Sequence, residues 1–214
     1  MTEDQKNIIE AINNYVKSGF YSLDDVIENV FEVIEGYTYT DTWVKKTIKA
    51  VFKDHILESN NWTHPTDPEK LKAVFDQLSR EGIMALHNYG WEPSDIGPVV
   101  TATLYDLKEN GYEVNIKGCC GYNWQDVETV LNPQWKNLYI QFYTYNDVEM
   151  DEKTQKTEQL KIGNRINELL KEQNFNVEWN GTLDKNFCIK NFEWLKCYKE
   201  EDDCWDEYTN ALWD

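Results

Sequence analysis

Two adjacent thiols set between glycines, Gly118-Cys119-Cys120-Gly121, form the most unusual tetrapeptide in the chain. A thiolate is both a metal ligand and a nucleophile. The pair would support metal binding if His87 and a further ligand converged on it, or redox chemistry if a neighbour lowered a thiol pKa. The spacing is not the two-residue gap of common zinc sites, and there is no second cysteine pair. The expectation is therefore two small half-buried residues at a strand end, where glycine lets the backbone expose its neighbours. No metal ligand set is assigned and no cofactor is expected.

His55, His64 and His87 are the three imidazoles, which limits acid–base chemistry near neutral pH. His55 follows Asp54 near a helix end, His64 lies in a proline-containing loop, and His87 ends a candidate strand. Trp124-Gln125-Asp126 opens a short helix, where an acid complements the helix dipole and caps free N–H groups. A general-base role for Asp126 requires a partner within hydrogen-bond reach. No nucleophile elbow is present, and no catalytic residue is assigned. Trp91, Tyr122, Trp124, Trp135, Tyr143 and Tyr145 fall in or beside loops around the candidate sheet, and exposed aromatics among acids anchor protein contacts. The binding candidates are His87, Trp91, Cys119, Cys120, Trp124 and Asp126.

The elements that must position these residues follow from hydrophobic periodicity. Ile8, Ile9, Ile12, Tyr15 and Val16, then Leu23, Val26, Ile27, Val30, Phe31 and Ile34, then Val44, Ile48, Val51, Phe52 and Ile56 recur at three and four residues. Each set marks one face of an amphipathic helix, with Ser22 and Asp41 as expected N-caps and Gly19 and Gly36 as helix ends. Residues 60–68, with two prolines and Asp67 as an expected N-cap, read as a connection. Beyond it a helix carries Leu71, Val74, Phe75 and Leu78, followed by a strand at 83–87. Ser94 is expected to cap a helix bearing Ile96, Val100, Leu104 and Leu107, and Tyr112, Val114 and Ile116 alternate as a strand would. A short helix at 124–131, a strand at 138–143, a helix around Ile162, Ile166, Leu169 and Leu170, and a hairpin of 177–179 with 187–189 complete the pattern.

This order predicts an α+β fold: a small N-terminal helical unit, 1–62, then a domain, 63–196, whose sheet of four or five short strands carries helices on one face. An acidic aromatic tail occupies 197–214, with six carboxylates between Glu200 and Glu207, followed by Tyr208, Leu212 and Trp213. Aromatics interleaved with acids suit a segment that docks, either on its own protein or in a basic apolar groove of another. A doubly wound nucleotide fold is disfavoured because no glycine-rich phosphate loop follows any candidate strand.

The chain has 214 residues, enough to bury a core without disulfides. It carries 39 Asp and Glu against 21 Lys and Arg, a formal net charge of -18. That field repels phosphate backbones and anionic membranes and attracts basic proteins, so direct nucleic-acid and membrane binding are disfavoured and a basic protein is the expected partner. Five cysteines, an odd number, together with a polar, acidic start favour reduced thiols and a cytoplasmic location.

Ser18-Gly19-Phe20-Tyr21, Trp62 and Asp67 ahead of Leu71, Phe75, Leu78 and Gly82-Ile83, then Gln125-Asp126, Leu138-Tyr139-Ile140, Val177-Glu178-Trp179-Asn180-Gly181 and Trp194 form an ordered set of local signatures. In this order the chain resembles a bacterial family of uncharacterised proteins, a domain of unknown function with a helical N-terminal segment and an α+β region. The resemblance extends to about Lys196 and implies a fold without an activity. Members of that family often carry a cysteine cluster after the first strand. This chain has Asn88-Tyr89-Gly90-Trp91 there, so no metal or redox role carries over. The favoured function is a non-enzymatic acidic module of inhibitor or immunity type that binds a basic protein. The alternative is a small metal- or thiol-dependent enzyme with a cleft near Cys119 and Cys120.

Overall fold

The computed structural model describes residues 1–111, 115–145 and 150–200. They divide into two compact units, one of Met1–Glu69 with the segment that begins at Glu193, the other of Lys70–Phe192. The expected tail residues 201–214, and Tyr112 and Val114 of the expected strand, lie outside the described residues.

In the first unit, helices α1 (Glu3–Ser18), α2 (Leu23–Val33) and α3 (Asp41–Ser59) form where periodicity placed them. Thr2 and Ser22 close reciprocal capping boxes with Gln5 and Asp25, which satisfies N–H groups that a helix start would otherwise leave free. Ile8, Ile12 and Val16 meet Val26, Val30, Ile34, Val44 and Ile48 in a fully buried core. Thr40, not Asp41, is the N-cap of α3, and it makes no side-chain capping bond. Likewise Asp67 is the first residue of α4 (Asp67–Arg80). The reciprocal cap falls one residue earlier: Thr66 N–H donates to Glu69 Oε2 at 2.8 Å, and Asp67 Oδ2 instead accepts from Glu193 N–H at 3.0 Å. That contact starts the returning segment, where Trp194 Nε1–H donates to Ser18 O at 3.1 Å and His55 Nε2 meets Lys196 O at 2.9 Å.

The second unit contains β1 (Ile83–Leu86), α5 (Ile96–Glu109), β2 (Gly118–Gly121), α6 (Trp124–Leu131), β3 (Leu138–Thr144), α7 (Glu152–Glu172), β4 (Asn176–Glu178) and β5 (Phe187–Lys190). One five-stranded mixed sheet runs β1-β2-β3-β5-β4. β1 and β2 are parallel and every other neighbouring pair is antiparallel, including the expected hairpin, in which Val177 pairs with Ile189. The fold is α+β, and two expectations need correction. Ile116 precedes the second strand, which is Gly-Cys-Cys-Gly itself. Helices also cover both faces of the sheet. Parallel β1 and β2 require a crossover, and α5 lays Ile96, Val100, Leu104 and Leu107 against Met84, Leu86 and Cys119. Gly118, one residue from Cys119 and therefore on the opposite face, lies under Ile162 of α7.

Gly118 is required by close approach. A Cβ there would collide with the Ile162 side chain and with the Tyr143 carbonyl, and the carbonyl belongs to the paired strand and cannot move aside. The bidentate contact of Arg165 with Glu81, at 2.7 Å for both Nε and Nη2, ties α7 to the turn between α4 and β1. The guanidinium holds the Glu81 carboxyl down to about 2. Its unfolded value is higher, so this stabilisation is present above pH ~4.5 and is lost as pH falls toward 2. Substituting Glu81→Gln is expected to lower stability at pH 7 by about 1 to 2 kcal/mol, at the low end for a charge-assisted pair because both side chains are partly exposed. Urea unfolding at pH 7 and at pH 3 should show the gap between the two proteins shrinking at the lower pH.

Candidate functional site

Strand β1 runs on through His87, Asn88, Tyr89, Gly90 and Trp91, and β2 runs on through Tyr122 and Asn123 into α6. Tyr122 N–H donates to Leu86 O at 3.4 Å, Tyr89 N–H to Tyr122 O at 3.1 Å and Trp124 N–H to Gly90 O at 2.8 Å. These bonds carry the parallel pairing past the strand ends. The carboxyl end of a parallel pair is where open sheets place ligand sites, and Tyr89, Trp91, Asn123, Trp124 and Asp126 collect there.

On the α5 side, Tyr89 packs under Gly121, where a Cβ would stand 2.9 Å from its ring and 2.5 Å from Leu86 O. Buried Asn123 donates from Nδ2 to Tyr89 Oη at 3.3 Å. It also caps α6: Asp126 N–H donates to Asn123 Oδ1 and Asn123 N–H donates to Asp126 Oδ2, both at 3.1 Å. Burial pushes the Asp126 carboxyl up to about 6, against the lowering effect of the Asn123 N–H bond. Tyr89 is raised as well, by burial first and then by the field of Asp126. Tyr143 O–H donates to buried Gln141 at 3.0 Å. This group of hydroxyls, amides and a carboxyl that titrates near neutrality can accept, donate and exchange a proton.

At the rim, Trp91 stacks on Trp124 with ring centroids 6.3 Å apart and planes 20° from parallel. Trp124 is 3% exposed and Trp91 is 53% exposed, so the outer ring is presented on a fixed base. Asp95 was expected inside a helix capped by Ser94. Its carboxylate instead turns back to accept from Trp91 N–H at 2.8 Å and Glu92 N–H at 3.0 Å, and α5 begins only after a short 3-10 turn, Pro93–Asp95.

His87 belongs to the opposite face. Its Nδ1 shares a 2.8 Å hydrogen bond with Tyr122 Oη, and its ring lies 4.6 Å from that of Phe75 on α4. The two thiols are divided as well. Cys119 lies in the α5 core and Cys120 beneath the other face, as strand alternation demands. Burial pushes Cys119 up to about 12 and Cys120 well above the ordinary thiol value, so neither is a thiolate near neutral pH. The glycines flanking them give the strand close neighbours and expose nothing, contrary to the sequence expectation. Among the described residues no three His, Cys, Asp or Glu side chains stand together in a metal-holding group. The structure therefore stacks Trp91 on Trp124 and links Asp126 through Asn123 to Tyr89. It leaves Cys119 in the α5 core on the side of Tyr89, and sets His87 and Cys120 on the other face. Tyr89, Asn123 and Gln141 were missed. The spacing Asn123-x-x-Asp126 is a capping-box signature that pointed to one of them, whereas Tyr89 and Gln141 leave no local signal.

A family model for a domain of unknown function, DUF6891, matches residues 1–198. This chain belongs to that family. The matched span takes in every residue of the site just described. No curated protein and no solved structure matches the chain. No helix among the described residues is long and apolar enough to cross a membrane.

Because the Asp126 pKa is raised on folding, the native state holds a proton that the unfolded chain releases. The associated stability is full below pH ~3.8 and is lost as pH rises through about 6. An Asp126→Asn variant keeps the oxygen that accepts from Asn123. It is expected to be more stable than the parent at pH 7.5, by about 1 to 3 kcal/mol, and to lose the parent's decline between pH 4 and 6.5. Urea unfolding across that range measures both. An unchanged slope would refute the assignment.

Proposed function

We propose that this chain is a non-enzymatic, acidic protein-binding module of inhibitor or immunity type, which takes a basic protein on the aromatic and acidic rim at Trp91. The observation that carries this reading is a large ring held outward on a buried one, next in sequence to Glu92 and close to Asp95. Interfaces draw their energy from such rigid aromatic anchors, which lose little entropy on binding. An indole face beside carboxylates suits an arginine or lysine side chain, worth roughly 0.5 to 2 kcal/mol for the cation on the ring alone. The net charge of -18 supports fast capture of a basic partner.

The alternative, a metal- or thiol-dependent enzyme built on Cys119 and Cys120, has less support. Its two sulfurs face opposite sides of the sheet and are held as neutral thiols. The near-neutral carboxyl of Asp126 is the one observation that favours proton-transfer chemistry.

Affinity capture from host lysate at low and high salt, with the parent and a Trp91→Ala variant side by side, tests the reading. A basic protein held at low salt, released at high salt and weakened about tenfold or more by Trp91→Ala is the expected result. Capture indifferent to the variant would refute the assignment of this face, and absence of any basic protein would refute the function. For the alternative, a disulfide-exchange reagent at pH 8 is expected to leave Cys119 and Cys120 unmodified in the native protein and to reach all five cysteines in urea. Fast native reaction at either would revive it.

A further inference from the structure

We propose that Asn180-Gly181, in the connection between β4 and β5, is a self-modification site at which the native protein converts asparagine to aspartate and isoaspartate. The sequence holds two Asn-Gly dipeptides, Asn110-Gly111 and Asn180-Gly181. In both, the residue after asparagine lacks a Cβ, so its backbone nitrogen can reach the asparagine side chain. The reaction consumes only water. Gly181 N gives up its proton to solvent base and bonds to Asn180 Cγ, and the Cγ–Nδ2 bond breaks to release ammonia. Water then opens the cyclic imide, at Cγ to give aspartate or at the main-chain carbonyl to give isoaspartate.

The structure separates the two dipeptides. Asn110 closes the carboxyl end of α5: its Nδ2 donates to Asp106 O at 2.8 Å, and Gly111 N–H donates to Lys108 O at 3.0 Å. The leaving group and the attacking nitrogen are therefore both held by helix carbonyls. Asn180 and Gly181 are exposed, and among the described residues neither Asn180 Nδ2 nor Gly181 N–H makes a hydrogen bond. Asn180 Oδ1 instead accepts from Thr182 N–H at 3.1 Å and from Thr182 Oγ1 at 2.9 Å. These donors draw charge from Cγ and stand where an oxyanion develops as the nitrogen adds to it. The site also bears on packing. Trp179 Nε1–H donates to Thr182 O at 3.0 Å, and its ring centroid lies 4.7 Å from that of Phe187, with the ring against Gly163 of α7. Isoaspartate lengthens the backbone between Trp179 and Thr182 by a methylene, which slackens that anchor.

The test incubates the folded full chain in mildly alkaline, heavy-oxygen water and follows each asparagine by peptide mass spectrometry, with an isoaspartyl methyltransferase marking the isoaspartate. Asn180 is expected to convert about tenfold or more faster than Asn110, the scale of the two hydrogen bonds that Asn110-Gly111 must break. In urea the two are expected to convert at similar rates. Thr182→Val, which leaves only the backbone donor, is expected to slow Asn180 by about two- to tenfold. Purified isoaspartate-bearing protein is expected to unfold at lower urea than the parent. Equal native rates, or faster conversion at Asn110, would overturn the site. A preference that persists in urea would trace it to local sequence and overturn the structural assignment. An unchanged rate in Thr182→Val would remove Thr182 from the site, and an unfolding midpoint equal to the parent's would refute the coupling to packing.

Discussion

The second unit is organised by the close approach that one short strand permits. β2 is four residues long, lies between β1 and β3 and is buried throughout. Its two glycines let the Tyr143 carbonyl and α7 come down on one side and the Leu86 carbonyl and Tyr89 on the other. Cysteine between them supplies small apolar volume and a weak donor. A larger side chain at Gly121 would push the parallel pair apart, and its carboxyl end would lose the bonds that Tyr122 and Trp124 donate to Leu86 and Gly90, while one at Gly118 would force β3 and α7 away. The aromatic rim and the buried hydroxyl and amide group therefore depend on a strand that takes no part in them.

Some of the acids have a structural use, which changes how the charge is read. Asp25, Glu69 and Asp126 occupy the reciprocal position of a capping pair, and Asp151 accepts from the Lys153 and Thr154 N–H groups at the start of α7. At a helix start a carboxylate satisfies free N–H groups and meets the positive end of the dipole. These acids belong to the fold before they belong to any partner. What marks a surface here is departure from that pattern: an exposed indole fixed on a buried one.

Periodicity and capping chemistry made most elements legible. The three N-terminal helices, the helix that starts at Trp124, the strand from Leu138 and the hairpin of Val177 with Ile189 stand where the residues called for them. Errors came where a local signal had two readings. Thr66 and Asp67 are both good caps, and only the reach of Glu69 back to Thr66, with the Glu193 N–H free to take Asp67, selects between them. Gly-Cys-Cys-Gly lacks the β-branched residues that mark a strand, so alternation upstream drew the strand toward Ile116.

By itself the sequence determined what depends on neighbours along the chain: the amphipathic helices, their caps, the strands with strong alternation, the sign and size of the net charge, and Trp91, Trp124 and Asp126 as residues of interest. Tertiary structure alone decided which of them meet. Adjacent residues of a strand point to opposite faces, so Cys119 and Cys120 part even though they are neighbours in sequence. His87 and Tyr89, two apart, would share a face in a regular strand; they part because β1 ends at Leu86 and Asn88 between them takes a φ of +46°. Parallel pairing of β1 with β2 brings Tyr89 to Asn123 across 34 residues. The proton affinity of Asp126 was out of reach for the same reason, since it is set by the burial that long-range packing creates.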